Sequence, residues 1–243
     1  MKYERLLKNN NPVRKFARIK KYAPKPSTRS QDVRLSQLFS KLAYEKDDER
    51  SKQLAKTNPD YKYDPKLSTR EHAIFTNPTS HKTVIAYRGT DFSDKKRWHK
   101  DLKSDVMIGL GMQGLDPRHK QANRTFDKVK KAMPGYEVSV TGHSLGGSLA
   151  NHVAKNRKSS DKAVAFSRGS GPMDLLNKKS NKVLDVSNRY DPISMFARLQ
   201  NKTQGKEQSI NKMYNPQGGG SKLIGHHIDQ TINVKGMGKI NVR

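Results

Sequence analysis

The 243-residue chain contains no cysteine, which excludes disulfides, a thiolate nucleophile and any zinc site built on sulfur. Apolar residues are scarce as well. Hydrophobic residues make up 32% of the chain against 29% charged, with a single Trp, so a core must be concentrated in a few segments. No run approaches the roughly eighteen apolar residues that a spanning helix needs, and Met1 to Asn10 holds no apolar stretch of signal-peptide length. The expectation is a soluble or at most peripheral protein with one principal domain, suited to an intracellular or virion-associated setting. Acidic side chains are few: 22 Asp and Glu face 49 Lys and Arg, a formal charge of +27. Such a field attracts polyanions, and nucleic acid, an anionic membrane leaflet and acidic proteins would all satisfy it. A solvated basic surface produced by coding bias would look the same in composition.

Residues 1 to 30 carry ten Lys or Arg against the single Glu4, and Pro12, Pro24 and Pro26 interrupt any long helix. They read as a flexible basic arm, with the globular domain occupying 31–243. From Asp32 to Tyr44 the apolar residues Val33, Leu35, Leu38, Phe39, Leu42 and Ala43 recur at helical spacing. The charge-rich stretch Glu45 to Lys56 and the turns Asn58-Pro59 and Asp64-Pro65 follow. His72 to Thr76 and Thr83 to Tyr87 are short, β-branched apolar runs separated by Asn77-Pro78, as neighbouring strands should be. A helix over Gln121 to Met133 ends at Pro134-Gly135 before the strand Tyr136 to Thr141. A second helix runs from Ser144 to about Asn156, and strands at Ala163 to Phe166 and Lys182 to Val186 flank a short helical piece, Met173 to Leu176. This alternation predicts an α/β fold with a mainly parallel central sheet flanked by helices. Gln200 to Gly220 is polar and Gly-rich and reads as a mobile excursion before a last pair of short strands.

The strongest chemical signal is Gly142-His-Ser144-Leu-Gly146, with an apolar strand before it and an amphipathic helix after it. The flanking glycines permit a cramped strand-to-helix turn that pushes the serine hydroxyl into the open at the positive end of a helix. A serine hydroxyl needs a histidine base, and the base needs a carboxylate to fix its tautomer. In this architecture the chain order is serine, acid, histidine. His152 lies in the helix behind the serine, too close to fold back, which leaves the adjacent His226 and His227. Adjacent residues on an extended segment point to opposite faces, so only one of them can reach Ser144. Asp191 projects from the loop after the strand ending at Val186, where an acid belongs, with Asp185 inside that strand as the alternative. His226, His227 and Asp229 have no companion ligands, so no metal site is expected, and this chemistry needs no cofactor.

These motifs together resemble the class 3 lipase family, which includes the secreted fungal triacylglycerol lipases, from about Leu35 to Ile232. Thr141-Gly-His-Ser-Leu-Gly-Gly-Ser-Leu-Ala150 is similar to that family's nucleophile turn, and Ala86-Tyr-Arg-Gly-Thr90 to its strand ending in Arg-Gly-Ser/Thr. Asn188-Arg-Tyr-Asp-Pro-Ile193 is similar to its acid loop and His226-His-Ile-Asp-Gln230 to its closing histidine segment. The resemblance implies an α/β-hydrolase fold and carboxylic ester hydrolysis. It favours His226 over His227 as the base and implies an oxyanion hole built from Thr90 and the N–H of Leu145. It also puts Asp91 to Leu102, with Trp98, in the place of a lid that contacts lipid. Lys95, Lys96, Arg97, His99 and Lys100 surround that Trp, a departure that points to anionic lipid surfaces rather than neutral emulsions. The competing reading is a basic binding protein on a hydrolase scaffold, docked to nucleic acid or an anionic membrane.

Overall fold

The computed structural model describes residues 28–90, 117–178, 180–188, 191, 193–204, 209–212, 232–234 and 238–240. Most of the basic arm, together with Trp98, His226 and His227, lies outside them. In chain order the elements are α1 (Thr28–Leu42), α2 (Asp47–Thr57), β1 (Lys62–Tyr63), β2 (His72–Asn77), β3 (Lys82–Tyr87), α3 (Pro117–Ala132) and β4 (Glu137–His143). Then come α4 (Leu145–Asn156), β5 (Ala163–Phe166), a single 3-10 turn at Pro172–Leu175, β6 (Val183–Asn188), α5 (Met195–Thr203), β7 (Ser209–Lys212), β8 (Ile232–Val234) and β9 (Gly238–Ile240).

Strands β1 to β7 form one sheet in simple chain order. β1, β2 and β3 pair antiparallel, and every pairing from β3 to β7 is parallel. The strand period of two sorts the side chains onto two buried faces. Ile74, Ile85, Val138 and Val140 point to one face, where Ala122, Phe126 and Val129 of α3 and Leu149, Ala150 and Val153 of α4 cover them. Ala73, Phe75, Val84 and Ala86 point to the other, against Phe39, Leu42 and Ala43 at the end of α1 and Leu54 of α2. Helices on both faces of a mainly parallel sheet make the predicted α/β-hydrolase architecture. Because β3 to β7 run the same way, all their carboxyl ends open on one edge, the edge where such sheets carry their chemistry.

Two parts differ from the sequence expectation. The charged stretch after α1 is a helix: Asp47, Asp48 and Glu49 sit in the first turn of α2 and Lys56 in the last, matching the helix dipole. Its Arg50 is buried rather than solvated, because its guanidinium donates to the Leu42 and Ala43 carbonyls at 3.0 and 2.9 Å and so caps the end of α1. Residues 200 to 220 are not simply an excursion. α5 runs to Thr203 and β7 joins the main sheet beside β6. The buried residues of α5 include the polar Gln200 and Asn201, which is why hydrophobic periodicity did not reveal it. The expected closing pair of short strands is present as β8 and β9.

Candidate active site

Ser144 occupies the turn between β4 and α4, with φ 57° and ψ −122°. A non-glycine residue in this region costs about 1–3 kcal/mol and persists only where its surroundings enforce it. The surroundings here are explicit. The Ser144 N–H donates to the Phe166 carbonyl at 3.0 Å, and the Ser144 carbonyl accepts from the N–H groups of Ser148 and Gly169 at 3.1 and 3.2 Å. The two flanking glycines are required by close approach. A Cβ on Gly142 would run into the Gly146 backbone, and a Cβ on Gly146 would run into the Tyr87 carbonyl and lie 3.1 Å from the carbonyl carbon of Arg88. The G-x-S-x-G spacing thus lets the first turn of α4 pass against the ends of β3 and β4. One feature of the expectation is corrected: the serine is not in the open but 1% exposed.

The second oxyanion candidate, Leu145, is the first residue of α4, where N–H groups lack intrahelical partners. Thr90 follows β3 through Arg88 and Gly89. Gly89 packs on the turn so tightly that an added Cβ would sit 2.6 Å from the His143 carbonyl oxygen. Both expected donors are therefore delivered to the same edge of the sheet. Among the described residues, no backbone hydrogen bond takes up the Thr90 N–H.

Asp191 lies just past the end of β6, on the edge that carries Ser144, and is fully buried. One carboxylate oxygen accepts the Ile193 N–H at 3.0 Å and the other the Ser194 hydroxyl at 2.7 Å. Arg198, whose pKa burial pushes down against the pull of Asp191, donates to the Asp191 carbonyl and to the Ser194 hydroxyl, each at 2.7 Å. Asp185 is placed differently. It pairs with the buried Arg168 at 2.9 Å and accepts from Asn201 at 3.2 Å. Asp174 takes the same guanidinium at 3.2 Å, and Asp161 is exposed ahead of β5. Of the described acids after Ser144, only Asp191 stands at the carboxyl edge without being bound into the Arg168 cluster.

The supporting residues were not legible in the sequence. Ser170 joins the loop after β5 to the Asp191 turn: its hydroxyl donates to the Ile193 carbonyl at 3.1 Å and accepts the Ala197 N–H at 2.9 Å. That same loop contacts the nucleophile turn through Gly169 and Ser144, so the serine and the acid share one support. No pattern signals such contacts between distant residues.

His152 is held in α4, away from Ser144. Its ring meets His119 edge-on with centroids 4.9 Å apart, and its Nε2 lies 3.1 Å from the Asn123 amide nitrogen. Burial, then the neighbouring His119, pushes its pKa down to about 4. Burial also lowers that of His72. A histidine whose pKa is lower folded than unfolded contributes stability that is complete above about pH 6.5 and is lost as pH falls toward 4. Thermal melts should accordingly show Tm falling through that window. His152→Gln should flatten the fall, whereas an unchanged slope would mean that His152 does not resist protonation.

The sequence of residues 38–171, more than half of the chain, matches the phospholipase-like family as its Tle-like phospholipase domain. The chain belongs to that family. Membership in this phospholipase-like family makes it a lipase-like α/β-hydrolase, a carboxylic ester hydrolase acting on lipid esters. No curated protein matches the chain significantly in sequence. Among solved structures, the Lip2 lipase of Yarrowia lipolytica is similar at 17% identity, with 67% of this chain and 73% of that one covered and a TM-score of 0.45. Lipase II of Rhizopus niveus is similar at 12% identity, with 72% and 78% covered and a TM-score of 0.47. Among the described residues no cluster of His, Cys, Asp and Glu could hold a metal ion, and no helix is long and apolar enough to cross a membrane.

Proposed function

We propose that this phospholipase-like enzyme cleaves acyl esters of lipids at an anionic surface through a Ser144, His226 and Asp191 triad. The observation that carries the reading is the enforced φ 57°, ψ −122° conformation of Ser144 at the head of α4. Ser144 Oγ bonds to the ester carbonyl carbon while its proton passes to His226, with Asp191 holding the other ring nitrogen and stabilising the imidazolium. The Thr90 and Leu145 N–H groups take the oxyanion, each worth about 3 kcal/mol. Collapse expels the alcohol, which leaves with the proton from His226. Water then repeats the sequence on the acyl-enzyme and releases the carboxylic acid. His227 is the alternative base. Trp98, among its basic neighbours, supplies the lipid contact, and the +27 charge supplies the attraction to anionic headgroups.

Fatty-acid release from vesicles tests the substrate assignment. Phosphatidylglycerol-containing vesicles should be hydrolysed faster than pure phosphatidylcholine, with the difference shrinking as salt rises. Equal rates at low salt would remove the anionic preference. Release from neither, with a soluble ester still cleaved, would remove the lipid assignment.

A further inference from the structure

We propose that Tyr44 is a positioning residue of the oxyanion hole, a role that rests on the reading of Ser144, Thr90 and Leu145 above. Tyr44 stands in the turn that ends α1, where its N–H donates to the Lys41 carbonyl at 3.0 Å and Arg50 holds the two preceding carbonyls. Its hydroxyl accepts the Gly89 N–H at 3.0 Å and donates to the His143 carbonyl at 3.4 Å, with His143 Nδ1 at 3.5 Å. One phenol oxygen therefore sits on the seam between the two segments that deliver the two expected oxyanion donors, Arg88–Thr90 and His143–Leu145. The Arg88 guanidinium covers the Tyr44 ring at 5.5 Å.

The consequence follows from one peptide plane. The Arg88 carbonyl and the Gly89 N–H belong to the same rigid unit. Arg118 Nη2 donates to that carbonyl at 2.7 Å while anchored to Glu71 at 2.6 Å, and Tyr44 takes the N–H on the opposite side. The Arg88 N–H is itself spent on the Glu71 carbonyl at 3.0 Å. The next N–H is that of Thr90, and its aim is set by the Gly89 torsions from this clamped plane. Glycine has the broadest torsional freedom of any residue, so the clamp must supply the rigidity. A Cβ would supply it but cannot fit, because it would strike the Tyr44 hydroxyl. Preorganised donors stabilise a developing oxyanion without reorganising, whereas a donor free to swing loses that advantage.

Tyr44→Phe removes the oxygen and keeps the ring and its contact with Arg88. On a soluble 4-nitrophenyl ester, kcat should fall about tenfold with KM within about twofold, the split expected when an interaction made only in the transition state is lost. Binding of a trifluoromethyl ketone, which forms a tetrahedral oxyanion adduct with an active serine, should weaken by the same factor. Thermal melts should stay within a few degrees of wild type. Tyr44→Leu, which removes the ring as well, should lose kcat at least as far. An unchanged kcat and ketone affinity in Tyr44→Phe would overturn the proposal while leaving the serine-hydrolase reading intact. A fall in kcat with no change in ketone affinity, or a large loss of thermal stability with kcat and KM moving together, would overturn it in favour of a structural role. A wild-type protein that neither cleaves the ester nor binds the ketone would instead overturn the underlying reading.

Discussion

Ser144→Ala is expected to lower kcat by about 10⁵–10⁶-fold, the loss seen when the nucleophile of a triad is removed, with folding retained. Retention follows from what holds the turn: backbone bonds to Phe166, Ser148 and Gly169, none of which uses the serine side chain. Alanine inherits the same strained torsions, so its melting temperature should stay close to wild type. Ser144→Gly should be equally inactive yet melt higher, because glycine reaches φ 57° without the penalty of a Cβ. Ester hydrolysis and thermal melts on the same three proteins check both halves. An alanine variant with substantial activity would assign the chemistry elsewhere, and a glycine variant that melts lower would mean the turn is not strained.

Asp191→Asn and Asp185→Asn separate the two acids of the sequence reading by different signatures. Asp191→Asn should cost about 10⁴-fold in kcat, because an amide favours the wrong tautomer of the histidine. Its effect on folding should be modest, since the remaining oxygen still accepts from Ile193 or Ser194. Asp185→Asn should do the reverse. It removes one of the two carboxylates around a guanidinium that is 1% exposed, and breaking a buried pair costs about 3–5 kcal/mol. The expected result is a large drop in denaturation midpoint, with kcat per folded molecule little changed. If Asp185→Asn were the catalytically dead, stable variant, the acid would be misassigned.

The serine turn could be read from sequence because every requirement for it is local. Glycines must sit two residues either side of the serine, an apolar strand must precede it and an amphipathic helix must follow, and all are contiguous from Val138 to Val153. Strands β2 to β6 were legible for a similar reason, as short β-branched runs bounded by turn residues. The elements that escaped notice are stabilised by polar burial. The stretch that forms α2 read only as charge-rich because its buried Arg50 is spent on the end of another helix, and α5 shows little apolar periodicity because its inward face carries Gln200 and Asn201. Tyr44, Ser170, Ser194 and Arg198 were invisible for a stronger reason. Each acts through contacts made only after the chain has folded, such as the 45-residue separation between Tyr44 and Gly89, and single residues of these types carry no pattern.

Activation of the serine at position 144 is read directly by reaction with a fluorophosphonate followed by mass mapping of the adduct. One adduct is expected, on the peptide containing Ser144, absent in Ser144→Ala and absent in one of His226→Ala and His227→Ala. A well-folded wild-type protein that takes no label, or a label that persists in Ser144→Ala, would contradict it.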